Sequence, residues 1–238
     1  MKKKNSFLSC LIVIISVMCF ITISCKKETN NNTNNDLTVE DIDGNVYHTL
    51  TIGTQVWMAE NLKTTKFRNG DLIPNIIDNN IWWTSYSSPA YCNYNNDINI
   101  SLIYGRLYNW YAINDSRKIA PIGWHVPSKE EWQTLINYLG GESIAGGKLK
   151  ESGTIHWQNP NIGASNAVGF NGLPSGWRGD GDGSFGDLGI SSSWWSSSQA
   201  SSNGNAIDFE IYNNESSVYW NSQGADKVYG FSIRCIKD

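Results

Sequence analysis

The chain has 238 residues and a net charge of −4, with charged residues at only 17% against 11 Trp, 11 Tyr and 22 Gly. That acidic balance excludes a nucleic-acid footprint, and the aromatic content excludes a disordered chain. The length allows one substantial domain whose core draws much of its buried area from aromatic side chains.

The opening MKKKNSFLSCLIVIISVMCFITIS places three lysines before an apolar stretch from Phe7 to Ile23. A basic start, an apolar segment and a small residue before the cut make a secretory signal, assigned to residues 1–24. Cysteine at the junction, preceded by Ser24, resembles the lipobox of bacterial lipoproteins, with Thr22 where Leu is usual. The resemblance implies that Cys25 carries a fatty-acyl anchor such as palmitate. An uncleaved single span is the other reading, since the run has about the minimum length for one. Residues 25–38, including KKETNNNTNND, are too poor in apolar groups to fold and read as a polar tether. The folded domain is then 39–238. Cys10 and Cys19 leave with the signal, so Cys92 and Cys235 remain. In an exported domain two such thiols either pair as a disulfide, the expectation taken here, or stay apart as small buried hydrophobes.

Two β-prone runs carrying Val46, Ile52, Val56 and Trp57, divided by Gly53-Thr54, predict an opening hairpin. Residues 69–100 show no helical period and read as irregular chain with short strands. In GRLYNWYAIND, the i, i+3, i+4 spacing of Leu107, Trp110 and Tyr111 predicts a short helix. Ser128 and Glu131 form a capping box, and Trp132, Leu135, Ile136 and Leu139 make an apolar stripe stopped by Gly140-Gly141. Together they predict a helix over 128–139, with one more short helix in GESIAGGKLKESG. Later, Ile207, Phe209 and Ile211 alternate with polar residues before an Asn213-Asn214 turn and Val218-Tyr219-Trp220, which predicts an antiparallel hairpin. In the closing YGFSIRCIKD, Phe231, Ile233 and Cys235 share one strand face and Ser232 and Arg234 the other. The order predicts an α+β fold of two or three short helices with antiparallel strands.

GRLYNWYAIND, GWHVPSKEEW, GFNGLPSGWRGDGDGSFGDLG, WWSSS and YGFSIRCIKD occur in this order. Together with the hairpin IGTQVWMAENLKTTKFRNGDLI, they resemble the Fibrobacter succinogenes major paralogous domain, found in surface lipoproteins of Bacteroidetes-type bacteria. That domain is similar to the superfamily of formylglycine-generating enzymes and C-type lectins. The similarity implies an irregular C-type-lectin-like scaffold, with close termini and a long loop region for any ligand. It also implies a protein anchored to the bacterial outer membrane, facing the periplasm or the cell surface. Scaffold, rather than chemistry, is what such a likeness carries.

Formylglycine-type oxidation needs two neighbouring reactive cysteines, and Cys235 stands alone in its region, so no catalytic residue is assigned. Asp180, Asp182 and Asp187 in RGDGDGSFGDLG fit either a calcium site built with backbone carbonyls or a Gly-Asp turn whose carboxylates cap amides. No other cofactor is expected. Trp177, Trp194, Trp195 and Trp220, with Arg178, are the candidate ligand residues, because flat aromatic faces and planar polar groups suit a glycan. Core packing is the other reading of each tryptophan, and pairing with one of the aspartates is the other reading of Arg178. In a strand, Trp194 and Trp195 must face opposite ways, which predicts one exposed indole. His48, His125 and His156 share no metal spacing, and His125 is expected to make a structural hydrogen bond. The expected partners are the membrane, through the anchor, and an extracellular glycan, with adhesion to surface proteins as the alternative.

Overall fold

The computed structural model describes residues 37–85, 87–179, 181–201, 204–221 and 223–238. The signal segment, Cys25, the tether as far as residue 36, and Asp180 lie outside the described residues.

Strands β1 (Thr38–Glu40), β2 (Val46–Ile52) and β3 (Gln55–Met58) form an antiparallel meander. Gly53 takes φ +61° in the turn, a conformation that glycine adopts without strain. The stretch expected to be irregular with short strands holds one, β4 (Tyr91–Cys92), but also helix α1 (Asn79–Trp83) and the start of helix α2 (Ile98–Tyr104), which were not expected. Both helices are set by caps rather than by an apolar stripe: Asp78 accepts from the Ile81 amide and Asp97 from the Asn99 amide. Strand β5 (Leu107–Tyr108) pairs with β4, so Leu107 belongs to a sheet. The helix expected from it shrinks to α3 (Trp110–Ile113), capped by Asn109.

After β6 (Trp124–His125) comes α4 (Lys129–Tyr138), where Ser128 and Glu131 complete both halves of the capping box. Its stripe Trp132, Leu135 and Ile136 is fully buried. Helix α5 (Glu142–Leu149) is the further short helix. The rest is mostly strand: β7 (Ser175–Arg178), β8 (Phe185–Leu188), β9 (Ser191–Gln199), β10 (Ala206–Tyr212), β11 (Val218–Trp220) and β12 (Ile236–Lys237). One sheet runs β1-β2-β3-β12-β6, joining the first and last strands of the described chain. Another runs β11-β10-β9-β7-β8, antiparallel except where β7 meets β9. The fold is mixed α+β. Among the described residues no helix is long and apolar enough to cross a membrane.

Strand β9 lies between two cores, which overturns the expectation of an exposed indole. Trp194 packs with Trp57, Trp132, Phe170 and Phe209, while Trp195 packs with Tyr108, Phe231 and Cys235. Both are 0% exposed because both faces of the sheet are covered at this point. The closing segment alternates as expected, with Phe231, Ile233 and Cys235 in one cluster. Its opposite face is buried too. Cys92 and Cys235 are free thiols in separate apolar clusters, which corrects the expected disulfide. Burial pushes the Cys92 thiol up to about 12 and raises that of Cys235 as well, so both act as small hydrophobes.

Candidate ligand-binding groove

Strand β10 presents two unlike faces because successive side chains point opposite ways. Phe209 and Ile211 enter the core, where Phe209 stacks on Trp132 at 4.6 Å and 13°. Asp208, Glu210 and Tyr212 share the other face. On β9 and β11 the residues opposite them are Trp195, Ser193, Ser191 and Tyr219. Over this face lie two adjoining hollows of about 510 and 490 Å³, which share Glu210, Tyr212 and Asn221.

An aromatic row leads from the core into the larger hollow. Trp195 sits 4.6 Å from Phe231, Phe231 stacks on Tyr229 at 5.2 Å and 23°, and Tyr229 meets Trp177 edge-on at 6.4 Å and 76°. Trp177 and Tyr229 are half-buried at the end of the row. Trp177 lies across Gly186 on β8, where a Cβ would collide with the indole. Its Nε1 donates to Asp187 Oδ2 at 3.0 Å, which fixes the ring. Around the hollow stand the polar side chains of Asn205, Glu210, Asn221 and Asp226. In the smaller hollow, Tyr212 and Tyr219 meet edge-on at 5.7 Å, and Trp220 contributes a half-buried indole.

The electrostatics of this face are one-signed. Among the described residues no lysine, arginine or histidine lines either hollow. Lys150 donates its Nζ to the carbonyls of Ile162, Tyr212 and Glu215 at 2.8 Å each, the last two being residues of the smaller hollow's lining. Tyr212 donates to Glu210 Oε2 at 2.5 Å; burial first, then this bond, raises the phenol's pKa. Asp208 is 0% exposed, and among the described residues no donor makes a well-formed hydrogen bond to its oxygens, although the amides of Asp208 and Ala225 lie close enough to pull its pKa down a little. Burial, and next the charge of Glu210, push its carboxyl up to about 8, so that it holds a proton it can donate to Glu210.

Of the residues singled out by sequence, the structure brings Trp177 and Trp220 to this surface and removes Trp194, Trp195 and Arg178. Arg178 is 0% exposed, which corrects its reading both as a ligand residue and as an ion-pair partner of the aspartates. Its guanidinium donates to the carbonyls of Gly183, Ile76 and Ile77 and to Asn79 Oδ1, between the rings of Trp82 and Phe185. Asp182 accepts from the Ser184 amide at 2.9 Å, the turn-capping reading, while Asp187 serves Trp177. Among the described residues there is no group of three His, Cys, Asp or Glu side chains that could hold a metal ion.

A separate hollow, of about 360 Å³, is bordered by Arg68, Lys118 and His125. Its central groups are already committed. Arg68 donates to the carbonyls of Ala120, Pro121 and Trp124, and His125 lies between Asp238 at 2.7 Å and Glu131 at 2.8 Å. Burial lowers the His125 pKa, but these two bonds outweigh it and leave the pKa raised. That is the structural hydrogen bonding expected of this residue. Sequence reasoning missed Asp208, Glu210, Tyr212, Asn221, Asp226 and Tyr229. The signal for the first three was present, as the polar half of the Ile207, Phe209, Ile211 alternation.

A family model described as the Fibrobacter succinogenes major domain matches residues 50–237. No curated protein and no solved structure matches the chain.

Proposed function

The chain belongs to the Fibrobacter succinogenes major domain family, and from that membership we propose a lipid-anchored protein of the bacterial envelope whose domain binds an extracellular carbohydrate without converting it. The groove on β10 carries the reading. It sets the aromatic faces of Trp177 and Tyr229 beside the amides of Asn205 and Asn221 and the carboxylates of Glu210 and Asp226. Flat rings take the C–H patches of a sugar, and planar polar groups take its hydroxyls. The buried, high-pKa thiols of Cys92 and Cys235 leave no reactive cysteine pair among the described residues for oxidase chemistry.

The test is a broad glycan array probed with the full-length protein in detergent. Binding to at least one glycan class is expected, with Trp177→Ala weakening it about tenfold by removing one ring face. Flat responses across the array would retire the carbohydrate reading. Anchoring is tested separately: Cys25→Ser should abolish fatty-acid labelling, and unchanged labelling would remove the anchor. The alternative of adhesion to other proteins is favoured by exposed aliphatic side chains at Leu72, Ile77, Ile81, Leu102 and Ile103. Pull-down of an envelope protein through that surface, with no glycan signal, would select it.

A further inference from the structure

The two hollows over β10 adjoin, and each has an aromatic platform of its own. Resting on the carbohydrate reading above, we propose that they form one extended site engaging sugars several units apart, so that the ligand is a glycan chain rather than a single sugar or a disaccharide.

Three observations converge. The first is continuity. Glu210, Tyr212 and Asn221 belong to both linings, and the hollows measure about 510 and 490 Å³. Each alone falls within the range of pockets that take one small ligand, about 300–1,000 Å³, so the pair offers more room than one sugar fills. The second is the placement of the rings. Trp177 stands on β7 and Tyr219 on β11, with β9 and β10 between those strands in the sheet. Tyr219 lies directly opposite Glu210 and shares its face, and Trp177 lines the hollow over that face. Three strand spacings put β7 and β11 about 14 Å apart. A single pyranose ring does not reach both platforms; an extended chain does. The third is that both rings are fixed beforehand. Trp177 is held by its bond to Asp187 Oδ2 and lies across Gly186. Tyr219, 40% exposed, donates to Glu215 and meets Tyr212 edge-on, and Tyr212 is in turn bonded to Glu210. Rings already in place bind without the cost of ordering them. Once a chain occupies one platform, it reaches the second within the same complex, which raises its affinity. Glu210 and Asn221, between the platforms, then meet hydroxyls of the intervening units.

Extended β-1,4-linked chains of glucose, mannose and xylose test this. They are uncharged, as suits linings whose only charged side chains are acids. Lengths of one, two, four and six units are titrated calorimetrically into the full-length protein in detergent. In at least one series the hexamer should bind at least about tenfold tighter than the dimer. Trp177→Ala and Tyr219→Ala, both checked for native melting, should each bring the hexamer down toward the dimer, because one platform then remains. Tyr219→Phe keeps the ring and should keep the length dependence. Affinity that stops rising at one or two units, or a length dependence retained in either alanine variant, would overturn the extended site and leave carbohydrate binding standing. If none of the three series binds but other glycans on the array do, the extended site falls alone. If the array is flat as well, both readings fall.

Discussion

Arg234 and Asp208 are both ionisable residues with essentially no exposed surface, at 1% and 0%, and they differ in how their polar atoms are used. The Arg234 guanidinium bonds to Asn61 Oδ1 twice, at 2.9 and 2.7 Å, and to the carbonyls of Met58, Ala59 and Phe170, with the Phe170 ring 4.4 Å from its centre. Burial lowers its pKa to about 9, which still leaves it charged at neutral pH. Arg178 and Lys150 follow the same plan, giving their donors to carbonyls of distant segments. Such cations act as staples, because irregular chain has carbonyls left over that neither helix nor sheet satisfies. Asp208 has no matching set of donors. Three saturated cations beside one acid without such a set of donors show that burial is met in opposite ways in this fold: the cations keep their charge by bonding carbonyls, the acid keeps its proton.

The contrast is broken most severely at Arg234. Arg234→Met should lower unfolding stability by roughly 3–5 kcal/mol, because it strands the carbonyls of Met58, Ala59 and Phe170 in a dry region and leaves Asn61 Oδ1 with the Trp194 indole as its donor. Urea melts would read this. Arg234→Lys should recover only part, since an ammonium cannot reproduce the planar fork that serves Asn61 and the carbonyls together. A loss below about 1 kcal/mol for the Met variant would mean that the staple is not structural. Lys150→Met comes next, at roughly 2–3 kcal/mol. It frees the carbonyls of Ile162, Tyr212 and Glu215. Because two of these flank the groove, glycan affinity should fall along with stability.

Much of the frame was legible in the sequence because it is decided locally. The capping box of Ser128 and Glu131, the stripe of α4, the turn at Gly53-Thr54 and the β10–β11 alternation each rest on residues a few positions apart. What could not be read depends on distant neighbours. Trp194 and Trp195 are both hidden because α4 covers one face of β9 and the 229–233 segment the other. Arg178 is caged by carbonyls about a hundred positions away in the chain. The short helices α1 and α2 carry no stripe, so only their Asp caps announced them. In the groove, Trp177 was legible as an aromatic beside a glycine-rich loop. Tyr229 and Asp226 come from a loop whose sequence gives no sign that it folds over β10.

Asp208 itself gives a smaller, pH-dependent effect. Its carboxyl keeps a proton in the folded protein up to about 8, against an ordinary value of 3.8. Between those values the unfolded chain has lost a proton that the folded one retains, so this residue makes stability decline as pH rises through that window and level off above it. Melting temperatures taken across the window should show the decline in the wild type and a flatter profile in Asp208→Asn. The same profile in both would mean that Asp208 is ionised when folded, and the contrast with Arg234 would lose its acidic side.

The smallest effect belongs to Asp182, and it supplies the control that gives the Asp208 result its meaning. Asp182→Asn removes one negative charge, as Asp208→Asn does, so any change due to net charge alone must appear equally in both variants. Asp182 is exposed and already paired: its side chain accepts from Ser184, and that bond holds its pKa below the ordinary value. A lowered acid acts with the opposite sign. It supports the fold above its unfolded pKa and loses that support as pH falls through the folded one. Solvent and salt screen an exposed group of this kind, so its melting temperature at neutral pH should stay within error of the wild type. If instead Asp182→Asn flattened the neutral-range profile as Asp208→Asn is expected to do, bulk charge would be the cause, and the buried position of Asp208 would explain nothing.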